Sequence, residues 1–285
     1  MATTAPPSLL PALPPKQREI PASIRSSPLA EPLPRPSWHT IFRAAIVLVV
    51  LVWAWRGAGI TVGALVEGLP DMANFVSRLF PPNPAVIPEA IGPILETVQM
   101  AIIGTLLAVV LAIPLCLLAA SNVSPHPAVY HTARFVLNTG RTVPELVLAL
   151  AFVAAVGLGA FPGTLALALH STFSLSKVFA EAIEAVNPRP VEAVRGVGAG
   201  ASQVITYAMI PQALPTMLSY GLLYWESNIR AATVLGLVGA GGIGFKIQIS
   251  MRLFQYHDLT TYVILLILMV TVIDRVSAYL RARIT

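Results

Sequence analysis

Residues 93–120 read Pro-Ile-Leu-Glu-Thr-Val-Gln-Met-Ala-Ile-Ile-Gly-Thr-Leu-Leu-Ala-Val-Val-Leu-Ala-Ile-Pro-Leu-Cys-Leu-Leu-Ala-Ala, a block of 28 residues that is apolar almost throughout. Crossing the hydrocarbon of a bilayer takes roughly 20 residues of helix, so this block is long enough to span. Working outward, five further apolar blocks are expected to do the same, at about 39–57, 139–157, 162–184, 212–235 and 258–280. The reading is an all-α, polytopic membrane bundle of about six helices. Composition agrees: of 285 residues 56% are hydrophobic and 11% charged, with a mean hydropathy of +0.76. A soluble domain carries about 25% charged residues.

Before the first span, residues 1–37 form a Pro-rich segment with no apolar period, expected to be a disordered tail. Residues 38–285 then form the membrane domain. The first apolar core starts near Ile41 without a convincing cleavage pattern after it, so it reads as a retained helix rather than a signal peptide. Trp38, Trp53 and Trp55 suit its interfacial ends, and Arg43 can snorkel. Cys116 is the lone cysteine and lies inside an apolar block, which excludes a disulfide framework and a cysteine-based metal site. The net charge of +5 does not mark a nucleic-acid binder, because the basic residues are scattered at helix ends. They report orientation instead. With the N-terminus inside, 12 of the 18 Lys and Arg fall in inner segments, and the outer segments hold Arg56, Arg78, Lys246 and Arg252. Both termini are therefore expected on the cytoplasmic side.

The loop between the fourth and fifth spans, about 187–211, is expected to carry the function. Asn187 can cap a helix, Pro188 or Pro190 suits its first turn, and Val191–Arg195 gives barely a turn and a half. Gly196, Gly198 and Gly200 then let the chain turn. Such a stub fits the groove of another protein. This loop resembles that of permeases of ABC importers, whose pattern is Glu-Ala-Ala, three residues, Gly, nine residues, then Ile-x-Leu-Pro. The matching positions are Glu192, Ala193, Val194, Gly198, Ala208, Ile210 and Pro211, with Val194, Ala208 and Ile210 departing by one aliphatic or small residue each. The resemblance implies that Val191, Glu192, Ala193, Val194, Arg195 and Gly198 form a coupling helix that docks an ATPase subunit. It also implies a type I importer fold in the bacterial inner membrane, two permease copies, two ATPase subunits and an extracytoplasmic binding protein. This chain would bind no cofactor itself, ATP and Mg residing on the ATPase.

A more specific resemblance covers residues 90–285. Arg141-Thr-Val-Pro-Glu-Leu-Val, Ala166-Leu-Ala-Leu-His-Ser and the run from Glu226 to Gly244 look like phosphonate-type importer permeases. The implied cargo is phosphonate, phosphite or phosphate. Methionine-type permeases share the glycine-rich end, and a methionine-type or other small-solute importer is the alternative. An ion-coupled secondary transporter is less favoured, because no convincing inverted repeat is present.

Ionisable groups at membrane depth cost at least ~2.5 kcal/mol each and mark function. On a helix rising ~1.5 Å per residue, Glu226 and Arg230 lie about 18 and 24 Å from Leu214, in the favourable i,i+4 order. With His170 and Asn228 they are candidates for lining a translocation path, Arg230 offering a donor fork to an oxyanion; mutual neutralisation of Glu226 and Arg230 is an equal alternative. Arg141, Glu145 and Lys177 are inner-gate candidates, Glu145 being expected to pair with Lys177 or Arg141. Gly239-Ala-Gly-Gly-Ile-Gly244 matches a dinucleotide fingerprint only formally, since a membrane helix rather than a strand precedes it. A bend with close helix packing is expected there.

Overall fold

The computed structural model describes residues 38–59 and 61–284, so the Pro-rich tail lies outside the described residues. Contacts divide the chain into two compact units, residues 1–68 and 69–285. In the first, α1 (Trp38–Gly57) is a 20-residue apolar helix whose described large side chains, such as Phe42, Leu48 and Trp53, are exposed. It ends at Ala58 and Gly59, the latter at φ +64°. Next comes α2 (Val62–Leu79), which crosses the boundary between the units. It is amphipathic, with Pro70 inside it and Arg78 in its last turn.

The second unit is built on α3 (Ile87–Ala119), 33 residues and about 50 Å long. A short 3-10 turn at Pro84–Val86, capped by Asn83, leads into it. One stripe of α3 carries Ala101, Gly104, Thr105, Ala108, Ala112, Cys116 and Ala119, all small and all buried. Residues three and four apart share a helix face, and small ones let helix axes come close in lipid. This stripe receives α6 (Ala160–Glu184); a Cβ added at Gly104 would stand 3.0 Å from that of Leu167. Around this pair pack α9 (Ile210–Gly236), α10 (Gly242–Arg252) and α11 (Tyr256–Arg281).

Between α3 and α6 the expected single span at 139–157 is instead two helices. These are α4 (Pro127–Gly140) and α5 (Glu145–Val156), bent by 82° at a short break. The cause is local. Pro144 sits at the N-cap of α5 in extended conformation at ψ 142°, and a proline also disfavours helix for the residue before it. Among the described residues, length and composition select α1, α3 with its preceding turn, and α11 as spans, and the α4–α5 pair as a broken fourth. The helices α6 and α9, 25 and 27 residues long, also have the length to cross. Composition alone does not select them, because both carry polar residues that bind neighbouring helices.

The loop after α6 folds into α7 (Pro188–Gly196), nine residues and longer than the turn and a half expected, since both prolines lie within its first turn. Then α8 (Ala201–Val204) runs through a π turn, Ile205–Met209, into α9. Pro211 explains the widening. It has no N–H to offer Tyr207, and the register shifts so that Ile210 N donates to Ile205 O.

Candidate functional site

One end of the bundle is organised around α7. Asn187 caps it, Oδ1 accepting from Arg189 N at 3.0 Å, while Asn187 N donates to Gln212 Oε1 at 3.0 Å. Gln212 also donates to Ala208 O at 2.6 Å. The two ends of the loop are thereby tied to the start of α9. Val191 is the buried residue of α7 and packs in a core with Ile183, Val204, Ala208 and Met209, Val194 lying partly against it. Glu192, Ala193 and Arg195 are exposed. So Val191 pegs the helix to the bundle and those three present its outer face. Gly198 ends the element at φ +83°, with no atom within 4 Å of an added Cβ. Glycine is required there for its backbone, not for space.

Beneath α7 an ionic knot, which the sequence did not disclose, joins α3, α4 and α6. Arg134 donates from Nε to Ala119 O and from Nη2 to Glu184 Oε2, both at 2.8 Å. Its Nη1 lies 3.7 Å from Glu181. Glu184 also accepts from Ser121 N at 2.7 Å. Asn122 Nδ2 donates to Ile183 O at 2.9 Å.

The inner-gate candidates are arranged otherwise than expected. Glu145 pairs with His170, Oε2 to Nε2 at 3.3 Å, and not with Lys177 or Arg141. His170 Nδ1 lies 3.0 Å from Val143 O, inside the α4–α5 break. Lys177 donates to Asn138 Oδ1 at 2.8 Å on α4. The helix geometry gives the reason: His170 and Lys177 are seven residues apart, about 10.5 Å along α6. The break turns Glu145 toward the upper of the two and leaves α4 facing the lower. His170 and Glu145 thus clamp the interrupted backbone, where non-helical chain at membrane depth needs protein partners. His170 is therefore engaged with the α4–α5 break, while its neighbour Ser171 meets Asn228 on α9.

At mid-height Asn228 is buried between three helices. It accepts from Ser171 Oγ at 2.9 Å and donates to Thr105 Oγ1 at 2.8 Å, and Thr105 donates on to Ala101 O at 2.7 Å. This places Asn228 as a clasp of α3, α6 and α9. Ser171 and His170 point to different partners, so they form no nucleophile–base pair. Asn228→Ala removes both side-chain bonds and is expected to cost about 1–2 kcal/mol, read as a lower melting temperature of the purified protein with its helix content kept.

On the α9–α11 face, Arg230 spends both arms of its fork: Nη1 on Asp274 Oδ1 and Nη2 on Glu226 Oε1, each at 2.9 Å. Arg281 Nη1 donates to Glu226 Oε2 at 2.9 Å and to Ser277 Oγ at 2.6 Å. Two acids and two arginines make a formally neutral cluster. Glu226 is its most buried member, whereas the Arg230 and Asp274 side chains are 48% and 41% exposed. Asp274 and Arg281 went unnoticed in the sequence, being 44 and 55 residues from their partners. Among the described residues no three His, Cys, Asp or Glu side chains gather to hold a metal ion.

Comparison with known proteins agrees with this architecture. Residues 112–285 match the family model described as binding-protein-dependent transport system inner membrane component. The phosphite transport system permease protein PtxC of Stutzerimonas stutzeri is 43% identical over 245 residues, covering 86% of this chain and 89% of that protein. The phosphate-import permease protein PhnE of Mycolicibacterium smegmatis is 40% identical over 215 residues, 75% of this chain but 40% of the longer relative. A probable D-methionine transport system permease of Vibrio cholerae is 32% identical over 159 residues, 52% of this chain and 69% of that protein. Among solved structures, an inward-facing MetNI methionine ABC transporter covers 71% of this chain and 99% of its own. The TM-score is 0.61 at 20% identity, a likeness of fold.

Proposed function

This chain belongs to the family of binding-protein-dependent transport system inner membrane components, and from that premise we propose that it admits a phosphorus oxyanion to the cytoplasm. Phosphite, phosphonate and phosphate form the cargo class, as the names of its relatives suggest. The observation that carries the coupling part is α7: a nine-residue helix pegged by Val191 at the end of the bundle, with Glu192, Ala193 and Arg195 turned outward. An ATPase subunit seats on that face, and Gly198 lets the chain return to the bundle. This end faces the cytoplasm, as do both termini, consistent with the excess of Lys and Arg in the corresponding segments. ATP and Mg belong to the ATPase, and a binding protein delivers cargo to the opposite end.

The exposed ions at mid-height support a two-copy path. Lipid against Arg230 and Asp274 would cost at least ~2.5 kcal/mol for each, so their face lies against a second copy or a watery lumen. The cluster is formally neutral. An oxyanion meeting Arg230 competes with Asp274 for the fork and is bound weakly enough to leave. Arg141 stands at the start of the α4–α5 break, and the break, clamped by Glu145 and His170, is the flexing point of the inner half.

The test is reconstitution of the chain with its ATPase and binding-protein partners, followed by uptake of labelled phosphite, phosphonate and phosphate into vesicles. ATP-dependent uptake that requires all the proteins is expected. Uptake indifferent to ATP but abolished by collapse of an ion gradient overturns the proposal. Uptake of methionine in preference to all three anions overturns the cargo class alone.

A further inference from the structure

The turn that joins α9 to α10 is held from outside itself. Gly239, Gly241 and Gly242 all have positive φ, at +94°, +80° and +68°, and the turn needs glycine for that path. Its amides are then claimed by α3. Glu96 Oε2 accepts from Gly242 N and Thr97 Oγ1 from Ile243 N, each at 2.9 Å. Gly242 and Ile243 open α10, so a carboxylate and a hydroxyl from another helix do the work of its own missing N-cap side chain. The start of α6 comes close to the same turn. A Cβ built at Gly241 would lie 2.9 Å from Glu96 Oε1 and 3.1 Å from Ala160 N, the first amide of α6. The carboxylate thus sits on the N-terminus of α10, the positive end of that helix dipole. Gly159 N donates to Gly239 O at 3.0 Å and adds a third tie. Thr97 is fully buried and its hydroxyl is also bound to Pro93 O at 2.9 Å, which fixes its aim.

We propose that Glu96 is a positioning residue for transport: its charge holds the α9–α10 turn in the closed arrangement of the end opposite α7. The inference rests on the orientation and function proposed above. With the turn latched, Leu158 packs against Gly239 and Met100 against Gly163, and the starts of α6 and α10 cannot part. Opening this end to receive cargo loosens the Glu96 contacts, so the latch sets how strongly the resting state resists opening in the absence of the binding protein. Neutralising Glu96 weakens the attraction to the start of α10 while leaving the side chain's size unchanged, and a population shift toward the open state follows.

The experiment is Glu96→Gln in the reconstituted complex, scored by ATP hydrolysis without binding protein and by cargo imported per ATP. Basal hydrolysis is expected to rise about fivefold or more, the lower edge of coupling between sites, while import per ATP falls by a similar factor. Wild-type complex run in parallel separates the two claims, since its failure to couple ATP to uptake indicts the function and not the latch. Should Glu96→Gln not accumulate, Thr97→Val against Thr97→Ser reads the same turn: Val raises basal hydrolysis and Ser restores it. Unchanged basal hydrolysis and unchanged import per ATP in Glu96→Gln overturn the proposal, and so does equal behaviour of the two Thr97 variants.

Discussion

Gly244→Ala leaves little folded protein in the membrane, whereas Gly221→Ala leaves its amount and stability nearly unchanged. The first α10 turn lies so close to the end of α9 that a Cβ on Gly244 would run into the Thr233 carbonyl oxygen. It would also stand 3.0 Å from both Gly236 Cα and Thr233 C. Gly236 answers from the other side, its added Cβ falling 2.6 Å from Gly241 O and 2.8 Å from Phe245 N. These obstacles are backbone, which cannot rotate away as a side chain does. Overpacking against side chains already costs about 1–3 kcal/mol. Here two helices must separate, and a loss above about 4 kcal/mol is expected, a large part of a typical total of 5–15 kcal/mol. At Gly221 the nearest atom to an added Cβ is Val109 Cγ2 at 3.9 Å, an ordinary contact. Membrane-fraction yield and thermal unfolding of the two variants, side by side, measure the contrast. Equal yields would mean that α9 and α10 are not so closely apposed.

Ala193→Arg is expected to accumulate and unfold like the parent, yet to lose its ATPase subunit and with it all uptake. Ala193 is exposed on α7, and surface changes away from packed features stay within about 0.5 kcal/mol. The folded chain therefore tolerates the arginine. A partner seated on that helix does not, because bulk and charge forced into the centre of an interface cost about 2–4 kcal/mol or more. That is about 30- to 1,000-fold in affinity. Retention of the ATPase on the tagged permease gives the readout. Val191→Asp supplies the contrast. Val191 is buried at 6% exposure, so an aspartate there lowers the unfolding temperature as well as ATPase retention. An Ala193→Arg protein that keeps its ATPase would remove α7 as the docking element.

What could be read in advance was what depends on neighbours in sequence. Asn187, the two prolines after it and Gly198 carry local rules, and the structure shows the cap, the first turn and the positive φ expected of them. The ends of α6, α9 and α11 fall within a few residues of the expected spans because apolar run length sets them. The α4–α5 break was missed because the span was begun at Thr139, although Gly140, Arg141, Thr142 and Pro144 already interrupt the apolar pattern there. The pairing of Glu145 was misjudged since helix height was inferred without azimuth, and only the bend decides that it meets His170. Glu96, Thr97, Asp274 and Arg281 were invisible for a different reason. Their partners lie 44 to 146 residues away, and no periodicity encodes such a distance.

The brevity of α5 has a consequence for how the chain is made. Its 12 residues extend about 18 Å, against a hydrocarbon thickness of about 30 Å, so it cannot anchor itself in lipid as it leaves the ribosome. It enters together with α6 as a hairpin, once Glu184 has been synthesised 28 residues after Val156. At about 5–20 residues per second, the apolar Glu145–Val156 stretch waits about 1–6 s for its partner, and the insertion machinery must shelter it during that interval.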